Sequence, residues 1–174
     1  MSLNVYGVKA IDNISESRLS EVHPELARRV RKLAEKCEAN NIILRVSQGL
    51  RTWDQQDLLY AQGRSAPGPI VTHAPGGYSA HNFGYAVDIV PGEEMENFAP
   101  FTPDWDSMDS RWQQVLMLAK TCHLAEGAEW RTFPDRPHLY PQELPANPDN
   151  NYRFLYKEGG LEAVWANIKL ESWT

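Results

Sequence analysis

Behind Pro24 the apolar residues Leu26, Val30, Leu33 and Cys37 recur every third or fourth position, with Ala27 and Ala34 widening the stripe and charged residues between. That period predicts a helix whose first turn holds Pro24 and which closes at Asn40-Asn41. Ile42 to Val46 is a short β-rich run, read as a strand ending near Ser47-Gln-Gly49. Thr52 is placed to cap a second helix, from Trp53 to about Gln62, with Leu58, Leu59 and Ala61 on its inner side. Between Gly63 and Ser79 no period survives and Pro or Gly clusters recur, which predicts a long loop. Loops of that length inside a compact domain are as a rule functional or disordered.

Tyr85 to Val90 alternates as a strand does, and Pro91-Gly92 is expected to end it. An irregular stretch to about Asp106 precedes a third helix over 110–124, where Trp112, Val115, Leu116, Ala119 and Cys122 share one face. Glu129-Trp130 and Pro137 to Tyr140 read as short strands of the same small sheet. Tyr152 to Leu170 reads as helical, bent or broken at Gly159-Gly160. The sum is an α+β fold: a small antiparallel sheet flanked by helices, with long loops at one edge. Repeats and interdomain linkers are absent, so one domain is expected over 1–174, with its motifs in 46–140 and a helical tail at 150–174.

Composition narrows the function. A formal charge of −6 argues against nucleic acid as a partner, because phosphate binding needs clustered Lys and Arg. The one dense basic run, Arg28-Arg-Val-Arg-Lys32, is expected on the solvated face of its helix. No apolar run approaches the ~20 residues of a membrane span. The first residues lack the basic start and apolar core of a secretory signal, so synthesis in a cytoplasm and later release to the site of action are expected. Cys37 and Cys122 lie on apolar stripes and are expected as buried free thiols, not as ligands.

The chemistry concentrates in two segments, Ser79-Ala-His-Asn-Phe-Gly-Tyr-Ala-Val-Asp88 and Asp135-Arg-Pro-His138. They offer two imidazoles and a carboxylate of the kind that hold a catalytic zinc, and a second carboxylate three residues before the last imidazole. A zinc hydrolase needs three protein ligands, an open position for water and a base for that water's proton. Seven nearly extended residues would span ~20 Å, too far for His81 and Asp88 to share an ion. The chain must therefore fold back between them, and Gly84 is placed for the turn. Taken alone, Asp135 could instead cap a turn and His138 could be a packed core histidine. His73, in the long loop, is the alternative ligand to His81. His23 and His123 sit at helix ends.

With these residues the chain resembles the L-alanyl-D-glutamate endopeptidases, the peptidoglycan-cutting domains of many phage endolysins and some bacterial autolysins. The resemblance runs through Gln48-Gly-Leu-Arg-Thr-Trp-Asp-Gln-Gln56, Leu59-Tyr-Ala-Gln-Gly-Arg64, Pro67-Gly-Pro-Ile-Val-Thr72, Gly76-Gly77, Ser79 to Asp88 and Asp135 to His138, and it covers roughly 46–140. It implies the fold shared by the D-alanyl-D-alanine metallopeptidases and the hedgehog domain. It also implies a Zn²⁺ held by His81, Asp88 and His138, with Asp135 as catalytic base. Arg51, Gln56 and Ser79 are implied to line the cleft and to hold a carboxylate or the scissile carbonyl of the stem peptide. A guanidinium beside an amide and a hydroxyl suits an anionic D-glutamate, although Arg51 could instead pair with Asp54.

The expected partner is thus the peptidoglycan stem peptide, met by a monomer that neither inserts in a membrane nor binds nucleic acid. One departure stands out. Where family members often carry Trp-Gly-Gly-Asp-Trp, this chain has Ala125-Glu-Gly-Ala-Glu-Trp130, which alters one wall of the cleft. Two other readings share the motif: a D-alanyl-D-alanine carboxypeptidase or dipeptidase, and a non-catalytic zinc-containing wall-binding domain. Asp135-Arg-Pro-His138 in place of a Glu and Pro-Trp-His favours the endopeptidase, and retention of Asp135, Arg51, Gln56 and Ser79 argues against the binding module.

Overall fold

Helix α1 (Asn13–Leu19) is the first element of the computed structural model, which describes residues 11–93, 101–105, 110–128, 130, 131 and 133–171. Asp12 caps α1 by accepting from Ser15 N at 2.7 Å and also pairs with Arg45 at 2.6 Å. The chain continues through α2 (Pro24–Glu38), β1 (Ile43–Gln48), α3 (Trp53–Ala61), a single 3₁₀ turn (Ala80–Phe83), β2 (Val87–Glu93), β3 (Thr102–Pro103), α4 (Ser110–Lys120), β4 (Leu124–Gly127), β5 (Asp135–Pro141) and α5 (Asn150–Asn167). The strands form one antiparallel sheet in the order β1-β2-β5-β4, with β3 pairing the far end of β2. The expected α+β architecture is what forms.

The main core lies where α1, α2 and α4 cover the sheet. The predicted stripe of α2 is buried in full, Leu26, Val30 and Leu33 among its members, as are Trp112, Val115, Leu116 and Ala119 of α4. Each fully buried aliphatic side chain contributes about 1.5–3 kcal/mol relative to exposure. Cys37 and Cys122 are both buried and free, and burial pushes the Cys37 thiol up to about 12. A second apolar cluster gathers Phe83, Tyr85, Val164 and Ile168, with Trp53, Tyr156 and Trp165 packed against it. This cluster seats α5 on the 3₁₀ turn, so the C-terminal helix supports the centre of the molecule. Its break falls where expected, at Gly159 and Gly160.

Several expectations need correction. Arg29, within the basic run, is fully buried and not solvated. Its guanidinium pairs with Glu143 at 2.7 Å and Glu25 at 3.0 Å and donates to the carbonyls of His123 and Glu171. On α3, Leu58 is 73% exposed and Gln56 is the buried residue. Beyond Trp53, which packs on the second apolar cluster, this helix docks through polar contacts, Gln56 to Ala74 and Asp57 to Gly76, so its inner face carries no continuous apolar stripe.

β2 begins later than expected and runs through Pro91-Gly92. Pro91 keeps its carbonyl in the ladder, accepting from Asp104 N at 2.8 Å. The donor that proline lacks is replaced by the Trp112 indole, which donates to Asp104 O at 3.0 Å. β4 forms at Leu124–Gly127, ahead of the expected position, and Trp130 lies outside it. Glu129 falls outside the described residues, as does 94–100 of the irregular stretch. No helix among the described residues is long and apolar enough to cross a membrane.

Candidate active site

The 3₁₀ turn supplies the first functional side chain. Ser79 caps it, its hydroxyl accepting from His81 N at 3.3 Å, and Gly84 closes it in the left-handed region at φ 67°. The chain therefore reverses between His81 and Asp88, as a shared ion requires. The turn is stitched to the 49–52 segment in both directions. Arg51 N donates to His81 O at 3.1 Å, Asn82 Nδ2 donates to Arg51 O at 2.9 Å, and the His81 ring meets Gly49 O at 2.8 Å. Since a carbonyl only accepts, Nδ1 of His81 carries the proton, and in the neutral ring the Nε2 lone pair points inward.

The other two side chains face each other across the sheet. Asp88 on β2 is the direct antiparallel partner of His138 on β5, and the preceding pair is Val87 with Leu139. Because alternate residues point to opposite faces, Val87 and Leu139 enter the core while Asp88 and His138 emerge beside His81. Asp135 comes from the start of β5. There the register jumps, Glu126 pairing Leu139 and Gly127 pairing Asp135. This bulge leaves Asp135 and His138 on the same cavity.

His81 Nε2 lies 3.2 Å from Asp88 Oδ1 and 3.1 Å from His138 Nδ1, and His138 Nδ1 lies 3.3 Å from Asp88 Oδ1. A tetrahedral zinc with bonds of about 2.0–2.1 Å requires ligand atoms about 3.3 Å apart, so the three atoms fit one face of such a site. Protonation fits as well. Burial alone would raise the Asp88 carboxyl, but the His81 and His138 imidazoles hold it well below the usual range. Burial lowers His138, favouring its neutral form. An ionised Asp88 carboxylate and a neutral His138 imidazole are forms that a metal takes. With Nδ1 turned to the cluster, the Nε2 of His138 is buried without a hydrogen-bond partner among the described residues.

A cavity of about 530 Å³ opens over the three side chains. Asp135 and Arg51 line it, and so does Ser79. Burial and the Asp88 carboxylate push the Asp135 carboxyl above its ordinary value, against the pull of His138, His81 and Arg51. Burial lowers Arg51, opposed by Asp88 and Asp135. Arg51 turns away from the Asp54 pairing considered above. It donates to Gln56 Oε1 at 2.8 Å and lies 3.6 Å from Asp88 Oδ2. Gln56 stands behind it, fully buried and off the cavity surface. His73 lines the wall, its ring edge-on to Phe133 at 5.1 Å, and takes no part in the ligand cluster. Trp130 forms the altered wall, its ring 4.9 Å from that of His138. Tyr78, Ala146 and Asn147 also line the cavity and carried no signal in the sequence.

A family model described as VanY, D-alanyl-D-alanine carboxypeptidase, matches residues 19–122, ending ahead of β5. The chain is 33% identical over 123 residues to the peptidoglycan L-alanyl-D-glutamate endopeptidase CwlK of Bacillus subtilis, covering 69% of this chain and 73% of that protein. Among solved structures, the Serratia marcescens L-Ala D-Glu endopeptidase ChiX superposes with a TM-score of 0.53 at 24% identity, over 80% of this chain and 95% of that one. The LdcB LD-carboxypeptidase superposes with a TM-score of 0.51 at 19% identity, over 85% and 70%. Both share the fold.

Proposed function

The chain belongs to the VanY peptidase family, and from that premise we propose that it is a zinc-dependent endopeptidase cutting the L-alanyl-D-glutamate bond of peptidoglycan stem peptides. The carrying observation is the trio of ligand atoms 3.1–3.3 Å apart, open on one side to a cavity that also receives Asp135 and Arg51. A zinc ion held by His81 Nε2, Asp88 Oδ1 and His138 Nδ1 would lower the pKa of a bound water toward ~7 and polarise the scissile carbonyl.

The remaining work falls to the chain's own groups. Asp135 takes a proton from the attacking water and returns it to the departing amine. Burial raises its carboxyl above the ordinary value, which strengthens it as a proton acceptor. Arg51 offers its guanidinium to the D-glutamate carboxylate, and the neighbouring carboxylates Asp88 and Asp135 favour its charged form. Trp130, His73 and Phe133 line the cavity beside these groups. The 33% identical relative, an L-alanyl-D-glutamate endopeptidase, supports the choice of bond.

The family's description as D-alanyl-D-alanine carboxypeptidase supports a second reading, in which the cut lies at the opposite end of the stem. Digestion of purified peptidoglycan followed by mass spectrometry separates the two. Loss of the stem beyond L-alanine is expected, and release of a terminal D-alanine alone would favour the carboxypeptidase.

A further inference from the structure

We propose that Gln56 is a positioning residue: its neutral amide aims the Arg51 guanidinium into the cavity and leaves that charge available to an anionic substrate. The inference rests on the reading above that Arg51 receives a carboxylate, and it departs from the expectation that Gln56 itself touches the stem peptide.

Gln56 is the one buried residue of α3. Its Oε1 accepts from Arg51 Nη1 at 2.8 Å, and its Nε2 donates to Ala74 O at 2.8 Å and to Thr72 Oγ1 at 3.3 Å. The orientation of the amide is unambiguous, since a guanidinium only donates and a backbone carbonyl only accepts. Both N–H groups are therefore engaged, and the side chain is absent from the cavity lining. What it holds does reach the cavity. Arg51 lies on one side, and the Thr72, His73 and Ala74 stretch of the wall lies on the other.

The identity of the amide matters as much as its place. Arg51 lies between Gln56 Oε1 and Asp88 Oδ2, and the latter, at 3.6 Å, is beyond hydrogen-bond range. Among the described residues the guanidinium's short side-chain hydrogen bond thus goes to a neutral acceptor, which fixes direction without neutralising charge. A glutamate at 56 would offer Arg51 a buried carboxylate, with the charge-assisted bonding that carboxylates and guanidinium groups favour. It would also strip Ala74 O of its donor. A change from NH₂ to O⁻ in a side chain of equal size should therefore weaken recognition of an anion without emptying the core.

The test compares the full-length, zinc-loaded wild type with Q56E and Q56A on two stem peptides, one with the free D-glutamate carboxylate and one with that group as carboxamide. In Q56E, KM for the carboxylate peptide should rise about tenfold or more with a smaller change in kcat, while KM for the carboxamide peptide moves less than about threefold. Zinc content should stay near wild type, while the lost donor to Ala74 O should lower the thermal midpoint by several degrees without unfolding the protein at assay temperature. Wild-type KM on the carboxylate peptide, or equal losses on both peptides, would overturn the proposal. A substrate-free readout separates it from the functional reading: ¹⁵N spectra of the Arg51 guanidinium should show restricted Nη groups in the wild type and mobile ones in Q56A. Unchanged Arg51 signals in Q56A would refute positioning outright. Altered signals in a protein that cleaves neither peptide would uphold positioning and remove the substrate assignment instead.

Discussion

The Trp165 indole donates to the carbonyl of Phe83 at 2.8 Å, joining the last turns of α5 to the turn that carries His81. Gly84 lies against the same ring, where a Cβ would meet Trp165 at 3.0 Å. His23 approaches the ring edge-on at 5.7 Å, and its backbone N–H donates to Gly84 O at 2.7 Å. The first proposed zinc ligand, His81, is thus clamped by segments far apart in the chain. Trp165→Phe keeps the ring and removes the donor. It should lower stability by about 1 kcal/mol and weaken zinc binding about tenfold, as read by chelator competition. Unchanged zinc affinity would show that the clamp does not reach His81.

Gly127 lies under the bulge that brings Asp135 beside His138. A Cβ at this position would meet Asp135 O at 2.5 Å and His138 Cβ at 3.1 Å, both on the strand that must stay in place. Gly127→Ala should therefore push β5 outward and reduce kcat/KM about a hundredfold, the scale of a 1 Å misplacement of reacting groups. Steady-state kinetics on a soluble stem peptide measure this, and turnover within a fewfold of wild type would refute it.

Much of this arrangement was legible in the chain, and the exceptions share a cause. The helical stripe from Leu26 to Cys37, the Thr52 cap and the Gly159-Gly160 break are local features, decided by neighbours a few residues away. So is the reversal at Gly84, which followed from the short reach between two residues expected to share an ion. The meeting of Asp88 with His138 depends on strand register, which no spacing encodes, and the Gly127 bulge is invisible without it. Arg29 and Gln56 were misplaced for another reason. Periodicity sorts residues by polarity, and a buried polar side chain saturated with hydrogen bonds defeats that sorting. Asn13–Leu19 escaped notice because seven residues hold too little period to read.

The Arg29 cluster carries a pH dependence. Its hydrogen bonds hold Glu143 below the ordinary 4.5, and hydrogen bonds from Arg28 and Arg29 do the same for Glu25. Carboxyls depressed in the folded state contribute stability that is present above pH 4.5 and is lost as pH falls through their folded values. Arg29→Met should cost about 3 kcal/mol near neutrality, since it breaks a buried ion pair. The gap to wild type should narrow as pH drops below 4.5. Urea midpoints between pH 7 and 3 test this, and a gap independent of pH would exclude the linkage.

Asp135→Asn should abolish cleavage, because the amide cannot take a proton from water, while the three ligand atoms keep their places. Turnover near wild type would transfer the role of base to another group.

Zinc stoichiometry across single variants tests the central claim most directly, read by elemental analysis of dialysed protein. One zinc per chain is expected in the wild type, in His73→Ala and in Asp135→Ala, and it should be lost from His81→Ala, Asp88→Ala and His138→Ala. A full equivalent retained in His138→Ala, or lost from Asp135→Ala, would contradict the assignment.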